Sequence, residues 1–330
     1  MNRTNLENLK GELKGLKFDD KYIKKMEEMM EKGLPSFELK GLLPVDKGQM
    51  DMTMHFKKSG QSDYYYFNKF DLAYSKAKPL EGDLKYLVVS PGEKNKNLVK
   101  PFDSPSEAIA FFKSQTGKSE LAIGKHTDKD LQFRDTVATM AEGKVDYVKK
   151  EFQQTYYSPA LTNSHYVEKG VGFNLNQASN MLQGRSAYRD DLVSRAGVEY
   201  KAWNVIQFDQ PKDKYGNYQM KQFNENYGFD AKKALEDYRI KLPEDGKKLD
   251  AIISELKDGG RPTVPVIDKE GKEVLMKIEA VPRYGNLNFH HLNGKPQNRE
   301  ELLKEPKKDL TQGKDAGKTK DKAQAQEMSM

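Results

Sequence analysis

The chain has no cysteine, five histidines and one tryptophan in 330 residues. Missing thiols exclude disulfide frameworks, thiol nucleophiles and Cys-ligated zinc or iron–sulfur centres. No apolar run approaches the ~20 residues that cross a bilayer as a helix. The opening Met1-Asn2-Arg3-Thr4-Asn5-Leu6 also lacks the apolar core of a secretory signal. A cytoplasmic protein with no membrane partner is the expectation. A large excess of one charge is absent too. With 56 Lys+Arg against 50 Asp+Glu the net charge is +6, weak beside the basic footprint of an obligate nucleic-acid binder. Hydrophobic residues make up 36% and charged residues 32%, so the cores are modest. A length prior of about 150 residues per domain suggests two domains.

What is present is periodic. Leu6, Leu9, Leu13 and Leu16 put one apolar side on a helix from about Asn5 to Leu16, free to dock on the first domain or on a partner. Asp19 and Asp20 stand at a helix start before Tyr22, Ile23, Met26, Met29 and Met30, and Gly33 stops it. The period then changes to two: Phe37 and Leu39, then Met52, Met54 and Phe56, then Tyr64 and Tyr66 predict a three-stranded meander. Tyr86 to Val89 and Leu121 to Ile123 read as strands, and Ser104-Pro105-Ser106-Glu107 opens a helix carrying Ala108, Ile109, Phe111 and Phe112. Residues 128–154 read as a polar helical region, and Tyr156-Tyr157-Ser158-Pro159 as a linker.

The second half predicts a capped helix from Asn174 or Asn176 to Leu182, stopped by Gly184. Strands at Val198–Phe208 and Tyr218–Tyr227 follow across Lys214-Tyr215-Gly216-Asn217, then helices at Asp230–Tyr238 and Lys247–Lys257. Met26 to Leu39 then lies without a gap over Ile253 to Val266, pairing Gly33 with Gly260 and Pro35 with Pro262. Asp51–Phe56 matches Glu273–Ile278, and Tyr64–Phe67 matches Asn286–Phe289. Duplication and convergence on one supersecondary unit both give this pattern. The expected fold is α+β: two small domains, each a helix followed by an antiparallel three-stranded meander. The divisions fall at 1–17 (amphipathic helix), 18–127 (first domain), 128–171 (connector), 172–297 (second domain) and 298–330. The last segment is a mixed-charge tail poor in apolar residues and expected to be disordered, apart from a short helix near Glu300 to Lys304.

Asn180-Met181-Leu182-Gln183-Gly184-Arg185-Ser186-Ala187-Tyr188, then Tyr200-Lys201-Ala202-Trp203, Tyr215 to Phe223 and Tyr227-Gly228-Phe229-Asp230 resemble uncharacterised proteins of conjugative and other mobile elements of gut Bacteroidetes. The Tyr284–Gly294 stretch and the Lys/Gln/Glu tail are similar to the same family, whose domains of unknown function are sometimes joined to topoisomerase-like sequence. The resemblance covers approximately residues 173–297 and implies a mobile-element setting. It brings no activity and no catalytic residues.

Few residues suit bond-making chemistry. Gly117-Lys118-Ser119 echoes the end of a phosphate-binding loop, but Phe112 stands where its first glycine belongs and the triplet ends a helix instead of opening one. His126 with Asp128 and Asp130 lacks the glycine and distal glutamate of a calcium loop. His290 and His291 are neighbours in an expected edge strand and point to opposite faces. Asp190 and Asp191 beside Arg185 and Arg189 suggest phosphodiester chemistry with the acids as metal ligands, or phosphate contact, or a salt-bridged loop. Arg185, on a loop after Gly184, has the geometry for bidentate phosphate binding.

The predicted hairpin interleaves Trp203, Phe208, Tyr218 and Phe223 with Lys201, Lys212, Lys214 and Lys221. Such surfaces stack single-stranded bases while holding the backbone, and such strands also build cores. Arg185, Arg189, Lys201, Trp203, Lys214 and Lys221 are therefore the candidate binding residues, with no catalytic residue, metal or small-molecule cofactor assigned. Three readings stay open. The leading one is a non-enzymatic accessory protein of a mobile element that contacts single-stranded nucleic acid or an element-encoded protein. The others are a metal-dependent phosphodiester enzyme using Asp190 and Asp191, and a structural module offering edge strands to a partner.

Overall fold

The computed structural model describes residues 1–92, 97–126 and 131–304. The chain divides into two compact units, Met1–Gln222 and Phe223–Met330. Both mix helix with antiparallel sheet. The division lies about fifty residues beyond the boundary read from the sequence at 171/172. Residues 161–182, read as the end of a connector and the start of the second domain, complete the first sheet and its core.

In the first unit, α1 (Arg3–Gly15) and α2 (Asp20–Glu31) precede β1 (Ser36–Leu43), β2 (Gln49–Lys58) and β3 (Tyr65–Ser75). These strands pair in sequence order, and a fourth, β9 (Leu161–Tyr166), joins the far edge of β3. Alternation sets the two faces of this sheet. Met50, Met52, Met54 and Phe56 on β2 turn inward with Phe37, Leu39, Phe67, Phe70 and Leu72, onto the apolar sides of α1, α2 and α5 (Leu175–Leu182). Aromatic rings knit this core: Phe56 stacks between Phe37 at 4.7 Å and Phe67 at 5.0 Å, and Phe18 meets Phe67 and Phe70 edge-on. The amphipathic N-terminal helix docks on this domain. The buried Asn5 side chain donates to Tyr65 O at 3.0 Å and accepts from its N–H at 2.8 Å, closing off the end of β3.

The second sheet of the unit runs β5-β4-β6-β7-β8, from β4 (Lys85–Pro91), β5 (Asn97–Phe102), β6 (Ser119–His126), β7 (Leu131–Ala141) and β8 (Lys144–Val148). Helix α3 (Pro105–Lys113) packs on it through Ala108, Ile109 and Phe112. Its N-cap is the expected Ser104, whose Oγ accepts the Glu107 N–H at 3.1 Å. The expected helical region at 128–154 is corrected here: apart from residues 127–130, which lie outside the described residues, it forms β7, β8, a 3-10 turn at Lys150–Phe152 and the short α4 (Gln153–Tyr157). Bulges interrupt the pairing of β7 on both sides, so its sequence shows no clean two-residue period. A third sheet orders β10 (Ala187–Val193), β11 (Glu199–Gln207) and β12 (Gln219–Asn224).

In the second unit, α6 (Ala231–Glu236) and α7 (Gly246–Lys257) lead into the sheet β13-β14-β15-β16, from β13 (Thr263–Ile267), β14 (Glu273–Val281), β15 (Asn286–His291) and β16 (Pro296–Gln297). β15 is therefore an inner strand, not the edge expected for His290 and His291. Val264, Val266, Met276, Ile278, Leu287, Phe289 and Tyr238 are buried in this unit. The correspondence with the first unit holds locally and slips by small steps. Phe56 pairs with Phe67, and the matched Ile278 with Phe289. The residue that leaves the helix with positive φ is Gly33 in one and Gly259, not Gly260, in the other. Phe37 pairs with Phe56, whereas Val264 pairs with Met276 instead of Ile278, one pleat away. Most of the segment read as a charged tail, residues 305–330, lies outside the described residues. Before it, Arg299–Leu302 form a 3-10 turn and bury Leu302. Among the described residues no helix is long and apolar enough to cross a membrane.

Candidate binding face on the first sheet

The residues singled out in the sequence do not form one surface. Arg185 follows Gly184, as expected, but its side chain is buried: Nη1 reaches Asp46 Oδ2 at 2.9 Å and Nη2 reaches Asn180 Oδ1 at 2.5 Å. Asp190 and Asp191 lie on strand β10, not in a loop. There Arg189 grips both Asp191 oxygens at 2.8 and 2.9 Å over the Phe173 ring, and this bond holds the Asp191 carboxyl below the usual carboxylate range. Trp203 is 4% exposed and packs against Tyr188, its partner across the β10–β11 pair, at 5.4 Å, and Phe223 is buried. Lys201, Lys214 and Lys221 are exposed, so the hairpin keeps its lysines in solvent while Trp203 and Phe223 go to packing. Among the described residues no group of three acids or histidines is placed to hold a metal. Gly117-Lys118-Ser119 leads into β6, whose first residue is Ser119, and opens no helix.

A different surface combines exposed aromatics with cations. Helices α1, α2 and α5 pack on one face of the first sheet, and only the first turn of α3 meets the other, at its Asp51 end. On the other face, alternation brings out Glu38 from β1, Thr53, His55 and Lys57 from β2, Tyr66, Lys69 and Asp71 from β3, and Ser164 and Tyr166 from β9. Lys57 sits directly across from Tyr66, and Lys69 directly across from Tyr166. Tyr66 is 49% exposed and Tyr166 is 58% exposed. Both are large rings in solvent on adjacent strands, one pleat apart.

A polar ladder crosses the same face. His55 has Glu38 Oε1 at 3.1 Å from Nδ1 and Asp71 Oδ2 at 2.6 Å from Nε2. The Ser164 hydroxyl donates to Asp71 Oδ1 at 2.5 Å, and Lys69 Nζ lies 3.3 Å from Asp71 Oδ2. Burial pushes the Asp71 carboxyl up, but the bonds from Ser164 and His55 and the charges of His55 and Lys69 outweigh it and leave its pKa below normal. The order Ser–Asp–His–Glu matters chemically. Ser164 faces a firmly ionised carboxylate and not the imidazole, so no base activates its hydroxyl as a Ser–His–Asp nucleophile requires.

Beside the ladder the face deepens into a cleft of about 380 Å³. Its floor is Asp51, Thr53, Asp71 and Ser164, and one wall is Ser106 and Glu107 from the first turn of α3. Asp51 docks that helix: it accepts from the Ser104 hydroxyl and, at 3.3 Å, from Gln49. Burial pushes the Asp51 carboxyl up against the opposing pull of these bonds. The other wall is the turn Tyr215-Gly216-Asn217.

No protein-family model, curated protein or solved structure matches the chain. The site therefore rests on its geometry alone. The two-residue period marks Tyr64 and Tyr66 as strand aromatics but does not place Tyr166 beside them. β9 joins the sheet from more than 90 residues away and carries no apolar alternation, because its inward residues are Asn163 and His165.

Proposed function

We propose that the protein is a non-enzymatic binding protein, acting as an accessory component of a mobile element, and that it takes single-stranded nucleic acid on the open face of its first sheet. One observation carries this reading: a sheet covered by helices on one side leaves Tyr66 and Tyr166 in solvent beside Lys57 and Lys69 on the other. Tyrosine rings stack on any base, at about 1–3 kcal/mol per base, while lysines hold the phosphates. Asp71, the acid beside Lys69, is held 3.3 Å from the Lys69 ammonium, which offsets its charge toward the strand. The resemblance to mobile-element proteins agrees with a nucleic-acid ligand. Arg185 and Trp203 support the fold instead of touching the strand.

The test is fluorescence anisotropy with labelled dT15 and rU15 at several salt concentrations. Tyr66→Ala and Tyr166→Ala should each weaken binding by about fivefold or more, the lower end of the stacking range. Lys57→Glu should flatten the salt dependence. No binding, or binding indifferent to both tyrosines, contradicts the proposal and returns weight to capture of an element-encoded protein.

A further inference from the structure

We infer that the cleft beside this face is a base pocket that selects guanine from the bound strand, an inference that rests on the single-strand reading above. At about 380 Å³ it has the size of a small-ligand site. Hydrogen-bonding groups of Asp51, Asp71, Glu107 and Ser164 share its lining with Leu72 and Ala73, and no lysine, arginine or histidine is among the described residues that line it. Phosphate is therefore disfavoured inside, while Lys57 and Lys69 remain on the open face for the backbone.

The carboxylates of Asp51, Asp71 and Glu107 only accept hydrogen bonds when ionised, so they call for an occupant rich in donors. Asp71 is already filled by Ser164, His55 and Lys69, and Asp51 is tied to Ser104 and Gln49. Glu107 bonds Lys40 through Oε1, and its side chain is 44% exposed at the cleft wall. It is the carboxylate placed to read a ligand. Guanine is the base whose pairing edge offers adjacent donors, N1–H and the N2 amine, to the two oxygens of one carboxylate. Cytosine, adenine, thymine and uracil each set their donor beside acceptors, which a carboxylate repels.

Opposite Glu107, the turn holds an aromatic ring ready. Asp213 Oδ1 accepts the N–H groups of Tyr215 and Asn217, both at 2.9 Å, and Gly216 supplies the positive φ of +81°. The turn is pinned to β9: Ser164 N–H donates to Asn217 Oδ1 at 2.8 Å, Tyr218 N–H to Asn163 Oδ1 at 3.0 Å, and Lys212 to Thr162 at 3.2 Å. At its tip Tyr215 is 67% exposed. These bonds fix the backbone of the turn, so the ring it presents to solvent, with Lys214 Nζ 4.9 Å from its centroid, is available to stack on a base beside a phosphate-binding cation.

The experiment compares dT15 with the same oligonucleotide carrying one central guanine, adenine, cytosine or hypoxanthine, on the full chain and on Glu107→Gln and Tyr215→Ala. Both side chains are exposed enough for the variants to fold. The expected result is about tenfold tighter binding of the guanine oligonucleotide. Part of that preference should be lost with hypoxanthine, which lacks the N2 amine, and all of it in Glu107→Gln, whereas Tyr215→Ala should weaken every oligonucleotide, the guanine one most. Equal affinity for all bases, with dT15 binding that still depends on Tyr66 and Tyr166, overturns the pocket and leaves the open face standing. A guanine preference that survives Glu107→Gln overturns it as well. Failure of every oligonucleotide to bind overturns both.

Discussion

Arg185 and Asp46, 139 residues apart in the chain, meet through a 2.9 Å ion pair that ties the segment after α5 to the turn between β1 and β2. The Arg185 side chain is 6% exposed and Asp46 is 39% exposed, so the pair sits at the border of the core, with Asn180 as a second acceptor. Arg185→Ala removes the guanidinium from both acceptors and opens a gap. The predicted loss is about 2–3 kcal/mol of unfolding free energy, with Arg185→Lys recovering only part because an ammonium cannot fork to two partners. Urea unfolding of the two variants measures this, and oligonucleotide affinity should stay at the parent level wherever the variant is folded.

Gly41 lies beneath the ring of Tyr22. A methyl group built on Gly41 falls 1.8 Å from the Tyr22 hydroxyl oxygen and 2.6 Å from Cζ. Tyr22 is buried on α2, so it has little room to move away. Gly41→Ala is therefore predicted to destabilise by about 1–3 kcal/mol through overpacking. Combining it with Tyr22→Leu should cost less than the sum of the two single changes. Thermal melts of the four proteins in the cycle give the coupling, and strict additivity would show that the two positions do not meet.

Burial holds His165 neutral, its pKa pushed down to about 4. It stacks on Phe70 at 5.2 Å and meets Phe173 edge-on. Unfolded, a histidine takes up its proton near pH 6.5, so between about 6.5 and 4 the unfolded chain binds the extra proton and stability falls as pH drops. The slope from this group is at most about 1.4 kcal/mol per pH unit. Asp71, with its lowered pKa, adds a loss only at more acidic pH. Asp51, Glu12 and Glu255, whose carboxyls burial pushes up, act in the opposite sense. The decisive quantity is thus a difference. The gap in unfolding free energy between the parent and His165→Phe should change steadily from pH 7 to pH 4.5, and a constant gap contradicts the assignment.

Much of the fold was legible wherever local rules act alone. Ser104 caps its helix as read, and of the two candidates Asn174 and Asn176 it is Asn174 that caps the later one, in a full capping box with Gln177. The alternation in β1 and β2 showed which residues face the core. Legibility failed where the inward residues are polar or the period is broken. β9 turns Asn163 and His165 inward, and β7 is interrupted by bulges. At the candidate site the sequence showed that strand aromatics and lysines were available. It could not show that Trp203 and Phe223 would be buried while Tyr66 and Tyr166 were left out, because that depends on which face of each sheet the helices cover.

The most direct test of the binding face is to map ultraviolet crosslinks from a bound oligonucleotide by mass spectrometry on the intact chain. Crosslinks concentrated on the β3 and β9 peptides that contain Tyr66 and Tyr166 are predicted. Crosslinks confined to the Lys201, Lys214 and Lys221 peptides, or none at all, would contradict it.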